Sequence, residues 1–500
     1  MTKRTRRLAL LLAASLSCQP ASDDAPHHET AQTLPVALAP GRSPREKLSP
    51  QLRRIVYGRS SDTKLRVLVD LSVQLDLHKL GEALREQQAG KRERRRIAVD
   101  ALRQVAEQSQ RRLEPFLEEG RRGGSIDSYR SFTVVNRLLV SASPAAIRAL
   151  AERDEVAAIE EESTGEALVL TSTSRASHSQ DEQSWALRAI GAQAVWRRGW
   201  DGRGVVVGII DAGASASHEQ LRGNFRGGTG SWYDPTGVDA TPQDALTGHG
   251  TTILSVAVGQ NLDGLILGTA PQAEWIACAG IPDGRYNNIA FTECADWMLN
   301  EGQPDVLINA WLLPDEGCLR PLQRIVDAWR AAEILPIFAA GNEGPEAGTD
   351  RSPANYVGLY PGDGTALSVG GVVESGRALA NSGRGPNSCD GSTYPSLVAP
   401  AEDVLAAFPL TPTAYKWAKG TSVAAGFVAG AAAVLLQAYP EAAVSEVEAA
   451  LRSGAIDLGP AGPDNAYGHG QLYLPAALDS LGRFLRNERS NKDSGTASGR

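Results

Sequence analysis

The sequence has few cysteines and no excess of basic residues, and beyond its first twenty residues we expect no stretch to be long and apolar enough to span a bilayer. A net charge of −8 over 500 residues gives no electrostatic case for binding nucleic acid or an anionic membrane. No glycine-rich phosphate-binding loop is present. The five cysteines lack the close pairs with which proteins hold a zinc ion. These absences favour a globular protein, and a length of 500 residues allows two or three domains.

The N-terminus has the pattern of an export signal. The stretch "MTKRTRRLALLLAASLSC" places basic residues before an apolar run that is too short to span a bilayer. We therefore predict a signal peptide over residues 1–18, and a protein that is secreted or anchored in the bacterial envelope. Lipidation of Cys18 and plain cleavage nearby both stay open, and a lipid anchor is the only membrane association expected. Residues 19–62, rich in Pro, Ala, Ser and charge, predict a flexible tether.

The rest of the chain predicts two folded domains joined by a linker. Residues 63–164 have strand and helix patterns in the order βα, β, αβ, which suits a small α/β domain of the ferredoxin-like type. Residues 165–184 are polar and aperiodic, which predicts an exposed linker. Residues 185–481 alternate continuous apolar strands with helices, which predicts a parallel sheet flanked by helices. Residues 482–500 predict a disordered tail.

Four polar residues stand where functional groups are expected in such a sheet. "GVVVGIID" ends in Asp211 and "ILPIFAAGN" ends in Asn342, while His249 and Ser422 each begin an apolar helix. In parallel sheets, functional groups gather beyond the carboxyl ends of the strands. Alone, each residue is an ordinary turn residue or helix cap. Together they place a carboxylate, an amide, an imidazole and a hydroxyl at one edge of the sheet.

These four groups meet the needs of amide hydrolysis. A serine hydroxyl attacks an amide only with the help of a base. His249 would take the proton of Ser422 and return it to the leaving amine, and Asp211 would hold the imidazole tautomer. Asn342 and the backbone N–H of Ser422 would stabilise the oxyanion. The sequence therefore predicts a catalytic triad with a separate oxyanion donor.

The motifs that carry these residues resemble those of a known family. "IIDAG", "GHGTT", "AAGNEG" and "GTSVAAGFVAG" occur in the order Asp, His, Asn, Ser. With this order, residues 185–480 are similar to the subtilisin-like serine proteases, the subtilase family, and "TAPQAEWIACAG" resembles its bacillopeptidase F-like branch. The resemblance implies an endopeptidase that acts on peptides or proteins and is made as a zymogen. The first domain would be a propeptide that inhibits its own protease, removed by a cut between about Gly165 and Gln183.

Four places depart from the family pattern, and the segment at 309–314 bears most on substrate binding. The family has "Asn-Asn-Ser-Trp-Gly" where this chain has "NAWLLP" at 309–314, so that Leu312 or Leu313 adds bulk and Pro314 removes a donor. We therefore expect a shallow first pocket that admits small residues such as Ala or Gly. Two alternatives stay open: a weak or inactive binding protein on a subtilase scaffold, and an esterase with the same triad. The resemblance implies these substrate-binding residues: Ala310, Trp311, Leu312, Leu313, Ala339, Ala340 and Gly341.

Four cysteines remain in the predicted protease domain. An exported protein favours disulfides, with free buried thiols as the alternative. The resemblance favours the pair Cys278–Cys294, since both lie in segments like those of the same branch, and leaves Cys318–Cys389 by exclusion. No cofactor or metal is expected. Aspartates between 233 and 246 offer oxygens of the type that calcium prefers, but a solvated acidic loop is the preferred interpretation.

Overall fold

The fold is known from a computed structural model. The structure describes residues 34–58, 63–87, 89–166, 174–176, 185–245, 247–261, 263–281, 284–313, 316–318, 322–357 and 366–497. These residues form two compact units, the first reaching Ala89 and including Arg96–Glu161, the second containing Gly90–Arg95 and everything after Glu161. The predicted signal peptide with Cys18, and also Pro314, lie outside the described residues.

The first unit is built on a four-stranded antiparallel sheet. Its strand order is β4-β5-β2-β6, the ferredoxin-like order, and β1 pairs separately with β3. Apolar residues of the sheet and its helices share one core. The elements up to Glu161, in chain order, are β1 (Val36–Leu38), α1 (Pro50–Tyr57), β2 (Leu65–Leu71), β3 (Val73–Leu75), α2 (Leu77–Glu86), α3 (Lys91–Gln110), α4 (Glu114–Arg122), β4 (Ile126–Phe132), β5 (Arg137–Ala142), α5 (Pro144–Ala151) and β6 (Val156–Glu161).

The predicted flexible tether over 19–62 is wrong for residues 34–58. The side chain of Ser49 caps α1 by accepting the N–H of Leu52, and Pro50 occupies the first turn. Leu52 and Val56 are 0% and 2% exposed in the core of the first unit. This helix is amphipathic, and only its buried face needs to be apolar. The average composition of the stretch is polar, which is why it did not predict a helix.

The second unit is built on a seven-stranded parallel sheet of order β10-β11-β9-β13-β14-β15-β16. This confirms the predicted α/β fold class. The elements are β7 (Thr164–Glu166), β8 (Ser174–Ala176), α6 (Trp185–Ala189), α7 (Ala192–Trp196), β9 (Val206–Asp211), β10 (Trp232–Tyr233), α8 (His249–Val258), β11 (Glu274–Ala279), β12 (Arg285–Asn287), α9 (Asn288–Trp297), a π-helical turn (Met298–Gly302), β13 (Val306–Asn309), α10 (Gln323–Ala331), β14 (Leu335–Ala339), β15 (Leu367–Val372), β16 (Leu397–Pro400), β17 (Val404–Ala407), β18 (Tyr415–Ala418), α11 (Thr421–Ala438), α12 (Val444–Ser453) and α13 (Leu474–Ala497).

The strand order explains where a site can form. β11 and β13 lie on opposite sides of β9, so the chain leaves β9 in one direction and later returns on the other. In such sheets a crevice opens outside the carboxyl ends of the strands at this point. Helix α11 packs against α8 and against β13–β16. By length and composition α11 is apolar enough to cross a membrane, but 89% of it is buried in the unit, as in a core helix.

The structure differs from the predicted linker in two places. β7 pairs antiparallel with β12, and β8 pairs antiparallel with β18 at the edge of a small sheet. Pairing at a sheet edge uses backbone groups and therefore leaves little trace in the pattern of side chains. This is why the sequence at 165–184 predicted no strand.

The predicted disordered tail over 482–500 is also wrong as far as Ala497. Helix α13 continues to that residue, and Phe484 and Leu485 pack against the core of the second unit. A helix that tertiary contacts have already nucleated gains one hydrogen bond for each further residue, so polar residues can extend it. The many charged residues of 482–500 predicted disorder, whereas the apolar residues that hold the start of α13 against the core allow the helix to continue.

Candidate active site

Asp211 and His249 form a buried hydrogen-bonded pair at the carboxyl end of β9. The Nδ1 atom of His249 lies 2.8 Å from both carboxylate oxygens of Asp211, and the side chains are 3% and 1% exposed. The N–H of Ala212 donates to Oδ1 of Asp211 at 2.7 Å and holds the carboxylate from its other side. A carboxylate placed in this way orients the imidazole and favours the tautomer with its proton on Nδ1. The lone pair of Nε2 can then accept a proton.

Two glycines allow the helix of His249 to approach the loop after β9. Gly248 caps α8 with φ +62°, a left-handed conformation that would strain a side chain. At Gly250, an added Cβ atom would lie 1.9 Å from the carbonyl oxygen of Gly213. A side chain at Gly250 would push α8 away from this loop. The glycines of "GHGTT" therefore allow the contact between Asp211 and His249.

Ser422 lies in the first turn of α11. The residue is 1% exposed, and its hydroxyl donates to the carbonyl oxygen of Ala310 at 3.0 Å. The Nε2 atom of His249 is buried and has no hydrogen-bond partner among the described residues. Of the contacts that the predicted triad needs, the one between Asp211 and His249 is present. The hydrogen bond between His249 and Ser422 is not, because the hydroxyl is directed to Ala310.

The amide of Asn342 is anchored through its oxygen. Oδ1 accepts the N–H of Thr421 at 3.0 Å, and the hydroxyl of Thr421 lies 3.2 Å from the same atom. That hydroxyl also accepts the N–H of Gly341 at 3.2 Å. Because these contacts use the amide oxygen, the amide N–H donors of Asn342 stay available for an oxygen of a ligand. Sequence reasoning missed Thr421, although its place directly before Ser422 was a signal.

The segment after β13 is filled with large side chains. Trp311 and Leu312 are 0% and 1% exposed. Leu312 lies against Gly341, since its Cδ1 atom would be 3.0 Å from a Cβ atom added to that glycine. The carboxylate of Glu343 would be 2.5 Å from the same Cβ atom, and burial raises the pKa of Glu343. Leu312 and Glu343 therefore take up space beside Gly341, which is one of the predicted pocket walls.

Leu313 has a different environment from Leu312. Its N–H donates to the carbonyl of Ser352 at 2.9 Å, and its side chain lines a small cavity beside Cys318 and Cys389. The sequence left open which leucine fills the pocket, and the contacts favour Leu312. The remaining predicted substrate-binding residues are also buried, with exposures of 1%, 3% and 0% for Ala310, Ala339 and Ala340.

An aromatic cluster links this segment to β12. The ring of Trp311 lies 4.8 Å from that of Phe291 and 6.3 Å from that of Tyr286, measured between centroids. Tyr286 belongs to β12, whose partner strand is β7. Sequence reasoning missed Tyr286 because the residues around it show no strand pattern.

Both predicted cysteine pairs lie at disulfide distance. The Cα atoms are 5.8 Å apart for Cys278 and Cys294, and 4.8 Å apart for Cys318 and Cys389. Both separations fall within the normal range for a disulfide. The first pair joins β11 to α9, next to the loop that leads to β12.

The aspartates considered for calcium do not form a shared site. The carboxylate of Asp234 accepts N–H groups of Thr236, Val238 and Asp239 in its own loop. Asp244 lies apart from this turn and bonds the first turn of α8 through the N–H of Thr251. No group of three metal-binding side chains is found among the described residues. In this arrangement the carboxylates of Asp234 and Asp244 bond backbone groups of two separate turns.

The arrangement at this edge of the sheet is that of a serine-type peptidase, a hydrolase. A buried imidazole–carboxylate pair, a serine at a helix start and an anchored amide lie beyond the carboxyl ends of parallel strands. The sequence profile described as the subtilase family matches residues 202–470, so the chain belongs to the subtilase family. The predicted family is thereby confirmed.

Individual relatives show how far the similarity extends. The chain is 30% identical over 433 residues to bacillopeptidase F of Bacillus subtilis (strain 168), covering 78% of this chain and 29% of that protein. It is 31% identical over 297 residues to subtilisin DY of Bacillus licheniformis, covering 59% and 97%. It is 31% identical over 316 residues to an intracellular serine protease of Paenibacillus polymyxa, covering 60% and 87%. The chain thus spans less than a third of bacillopeptidase F and nearly all of a subtilisin.

Proposed function

We propose that the chain is an exported serine endopeptidase that hydrolyses peptide bonds through Asp211, His249 and Ser422, with Asn342 as oxyanion donor. The observation that carries the proposal is the buried pair of Asp211 and His249, whose Nε2 atom has no partner among the described residues. A buried nitrogen without a partner is costly unless a ligand or a moving group completes it. The Ser422 hydroxyl is the group that would do so during catalysis.

In the proposed reaction the Ser422 hydroxyl leaves the carbonyl of Ala310 and turns to Nε2 of His249. The proton passes to Nε2 as the oxygen attacks the substrate carbonyl carbon, and Asp211 stabilises the imidazolium that forms. The proton then passes to the leaving amine, and water repeats the sequence to release the acyl group. The freed carbonyl of Ala310 can accept an N–H from the substrate backbone.

The oxyanion would be stabilised from two directions. Thr421 holds the oxygen of Asn342, which presents the amide N–H donors to the ligand. The first turn of α11 adds the N–H of Ser422 and the positive end of the helix dipole. Because both donors are in place before the substrate arrives, they need little reorganisation as charge develops.

The first pocket is proposed to be shallow. Leu312 lies against Gly341 in a buried wall, so a large substrate side chain would have to displace it. The proposed substrates are peptides or proteins cut after small residues such as Ala or Gly. A tightly packed leucine excludes an aromatic ring because the surrounding core yields little.

The chain is also proposed to be a zymogen that cuts its own linker. β7 pairs with β12, whose Tyr286 contacts Trp311, and β8 pairs with β18, which leads through Lys419 and Gly420 to the serine helix. The two strands that flank residues 167–173 are thus paired with segments that contact Trp311 or lead into α11. The seven residues between β7 and β8, "ALVLTST", lie outside the described residues and join these strands. We place the cut among them, with the first domain as the inhibitor.

The test is the fate of a Ser422→Ala variant made in a host without other proteases. We expect the wild-type protein to lose residues up to the "ALVLTST" stretch, and the variant to stay full-length, as read by mass spectrometry of the intact chain. Ser453→Ala, an exposed serine at the end of α12, is the matched control and should mature normally. Normal maturation of Ser422→Ala would refute self-processing. Export, with or without a lipid on Cys18, is tested separately by cell fractionation and by mass spectrometry of the N-terminus of the Ser422→Ala variant, which is expected to keep the first domain.

The alternative of an inactive binding protein rests on the altered segment after β13. The intact pair of Asp211 and His249 and the anchored amide of Asn342 argue against it, because neither geometry is needed for binding alone. Absence of any peptide cleavage by a folded, mature protein would favour it.

A further inference from the structure

A second carboxylate lies beside the proposed triad. Asp244 is five residues before His249, and forms an isolated antiparallel bridge with Gly213 in the loop that follows Asp211. Its Oδ2 atom accepts the N–H of Thr251 at 2.7 Å. Its Oδ1 atom is buried and has no hydrogen-bond partner among the described residues. Nothing in the proposed reaction uses this group.

The contacts of Asp244 join the two halves of the Asp–His pair. Thr251 stands in the first turn of α8, two residues after His249, and its hydroxyl accepts the N–H of Ser215 at 2.9 Å. The N–H of Ala214 donates to the carbonyl of Gln243 at 2.9 Å. The loop after β9, the segment that holds Asp244 and the start of α8 are therefore bonded in a closed set. A change at Asp244 would therefore alter the position of the imidazole through the first turn of α8.

A buried amine faces the same region from β18. Lys416 is 5% exposed, its Nζ atom lies 4.8 Å from the ring centroid of Phe408, and it makes a long contact of 3.5 Å with the carbonyl of Thr247. Its charge interacts favourably with Asp244 and Asp211, which oppose the cost of burial. A buried ammonium without such carboxylates would be strongly destabilised.

The charged groups around this pair come from each neighbouring element. The charges of Asp211 on β9 and His249 on α8 act on Asp244, and those of Asp244 and Asp211 act on Lys416. Burial raises the pKa of Asp244 to about 7 and lowers that of Lys416 to about 8, so both groups change charge near the pH at which an imidazole titrates.

We propose that Asp244 is a positioning residue for His249 and that Asp244 and Lys416 together set the pH at which the imidazole takes up its proton. This inference rests on the proposed function, in which His249 is the base. A negative charge on Asp244 stabilises the imidazolium and the positive charge on Lys416 opposes it, because both act through a medium that screens poorly. The hydrogen bond to Thr251 holds the helix start that carries the imidazole.

Two substitutions separate the charge from the hydrogen bond. Asp244→Asn keeps an oxygen that can accept the N–H of Thr251 and removes the charge, whereas Asp244→Ala removes both. Lys416→Met keeps the length and the apolar stem and removes the positive charge. Lys419→Met, on the same stretch but paired with Glu402 and about one third exposed, is the matched control.

The direct measurement is the proton titration of His249 by NMR, made in the Ser422→Ala background so that the chain cannot digest itself. Specific 13C labelling of the histidine rings makes the seven histidines visible, and loss of one signal in His249→Ala assigns it. We expect Lys416→Met to raise the midpoint by about one pH unit. Asp244→Asn should lower it by about half a unit, since that carboxyl is only partly ionised in this range. Lys419→Met should leave it within about 0.2 unit.

The pH profile of kcat/KM in the active protein provides the second readout. Its acid limb should move in the same directions as the NMR midpoints, because that limb reports the free base. Asp244→Ala should have a kcat at least about ten-fold lower than that of Asp244→Asn, because only Asp244→Asn keeps the hydrogen bond to Thr251. Circular dichroism should show that both variants are folded. Midpoints that do not move in either charge variant would overturn the inference. If the His249 midpoints shift as expected in the Ser422→Ala background but mature protein with Ser422 cuts no peptide, the inference is supported and the proposed function is refuted.

Discussion

Two stretches at the same edge of the sheet differ in what fills them. The loops after β9 and β14 are lined with small residues and hold Asp211 and Asn342, each fixed by backbone hydrogen bonds. The segment after β13 carries Trp311, Leu312 and Leu313, all buried. The segment after β13 departs further from the family pattern than the two loops, in which only Ala212 after Asp211 differs.

The difference separates chemistry from recognition. Proton transfer and oxyanion stabilisation need a few groups held at fixed points, which backbone contacts can supply. Substrate recognition needs empty space of a given shape, which a single leucine can remove. The chain can therefore keep the proposed catalytic groups while its proposed first pocket is narrowed. Changes to the catalytic groups should have large effects, and changes to the pocket should have smaller, selective ones.

The largest effect is expected from removing the nucleophile. Ser422→Ala should lower kcat for peptide cleavage by about a thousand-fold or more, because the hydroxyl has no substitute in the site. The measurement is the hydrolysis of a peptide library by wild type and variant after both have been cut within residues 167–173, the variant in trans by wild-type protein that is then removed. Ser453→Ala is the control. A variant that keeps a tenth of wild-type activity would show that another group attacks the bond.

The next effect in size concerns the oxyanion donor. Asn342→Ala should lower kcat by roughly a hundred- to a thousand-fold with little change in KM, the range known for loss of this donor in subtilisin itself. Thr421→Val, which removes only the hydroxyl anchor of the amide, should give a smaller loss. A rise in the KM of Asn342→Ala without a fall in kcat would show that Asn342 binds the substrate and does not act on the transition state.

A smaller and selective effect is expected at the pocket. Leu312→Gly should raise kcat/KM for cleavage after Phe, Tyr or Leu by about ten-fold or more, and leave cleavage after Ala nearly unchanged. Leu313→Gly is the matched control, because its side chain lines the cavity beside Cys318 and not the wall at Gly341. Fast cleavage after large residues by the wild type, or an equal gain in both variants, would contradict the assignment of Leu312.

An effect of a different kind, on stability and not on rate, follows from Asp244. Burial raises its pKa from 3.8 to about 7, so the folded protein keeps a proton that the unfolded chain loses between about pH 4 and 7. Stability should therefore fall as pH rises through this window, by about 2–3 kcal/mol between pH 5 and pH 8. Asp244→Asn should lack this part of the pH dependence. Urea unfolding of both proteins in the Ser422→Ala background measures it, and equal pH slopes would contradict the shift.

Most of the parallel sheet and the residues of the proposed triad could be predicted from the sequence. Asp211, His249, Asn342 and Ser422 could be placed because each directly follows or begins an apolar element, and such elements have a strong period. The same reasoning could not choose between Leu312 and Leu313. Side chains alternate along an extended segment, so an error of one position turns a residue to the other face.

Other features had no periodic signal to follow. β7, β8 and β12 pair through backbone groups, and the capped helix at Pro50–Tyr57 is only two turns long. Thr421 and Lys416 act through contacts between residues that are distant in sequence. Such contacts depend on how the chain returns to one edge of the sheet, which composition and spacing do not reveal.

The central claim is that His249 and Asp211 activate Ser422 as a nucleophile. The most direct test is reaction of the mature wild-type protein with a fluorophosphonate probe, followed by peptide mass mapping to locate the label. The account predicts a single labelled residue, Ser422, with labelling lowered by about a thousand-fold in a folded His249→Ala variant that has been cut in trans within residues 167–173. A folded, mature wild-type protein in which Ser422 stays unlabelled, or is labelled equally fast in His249→Ala, would contradict it.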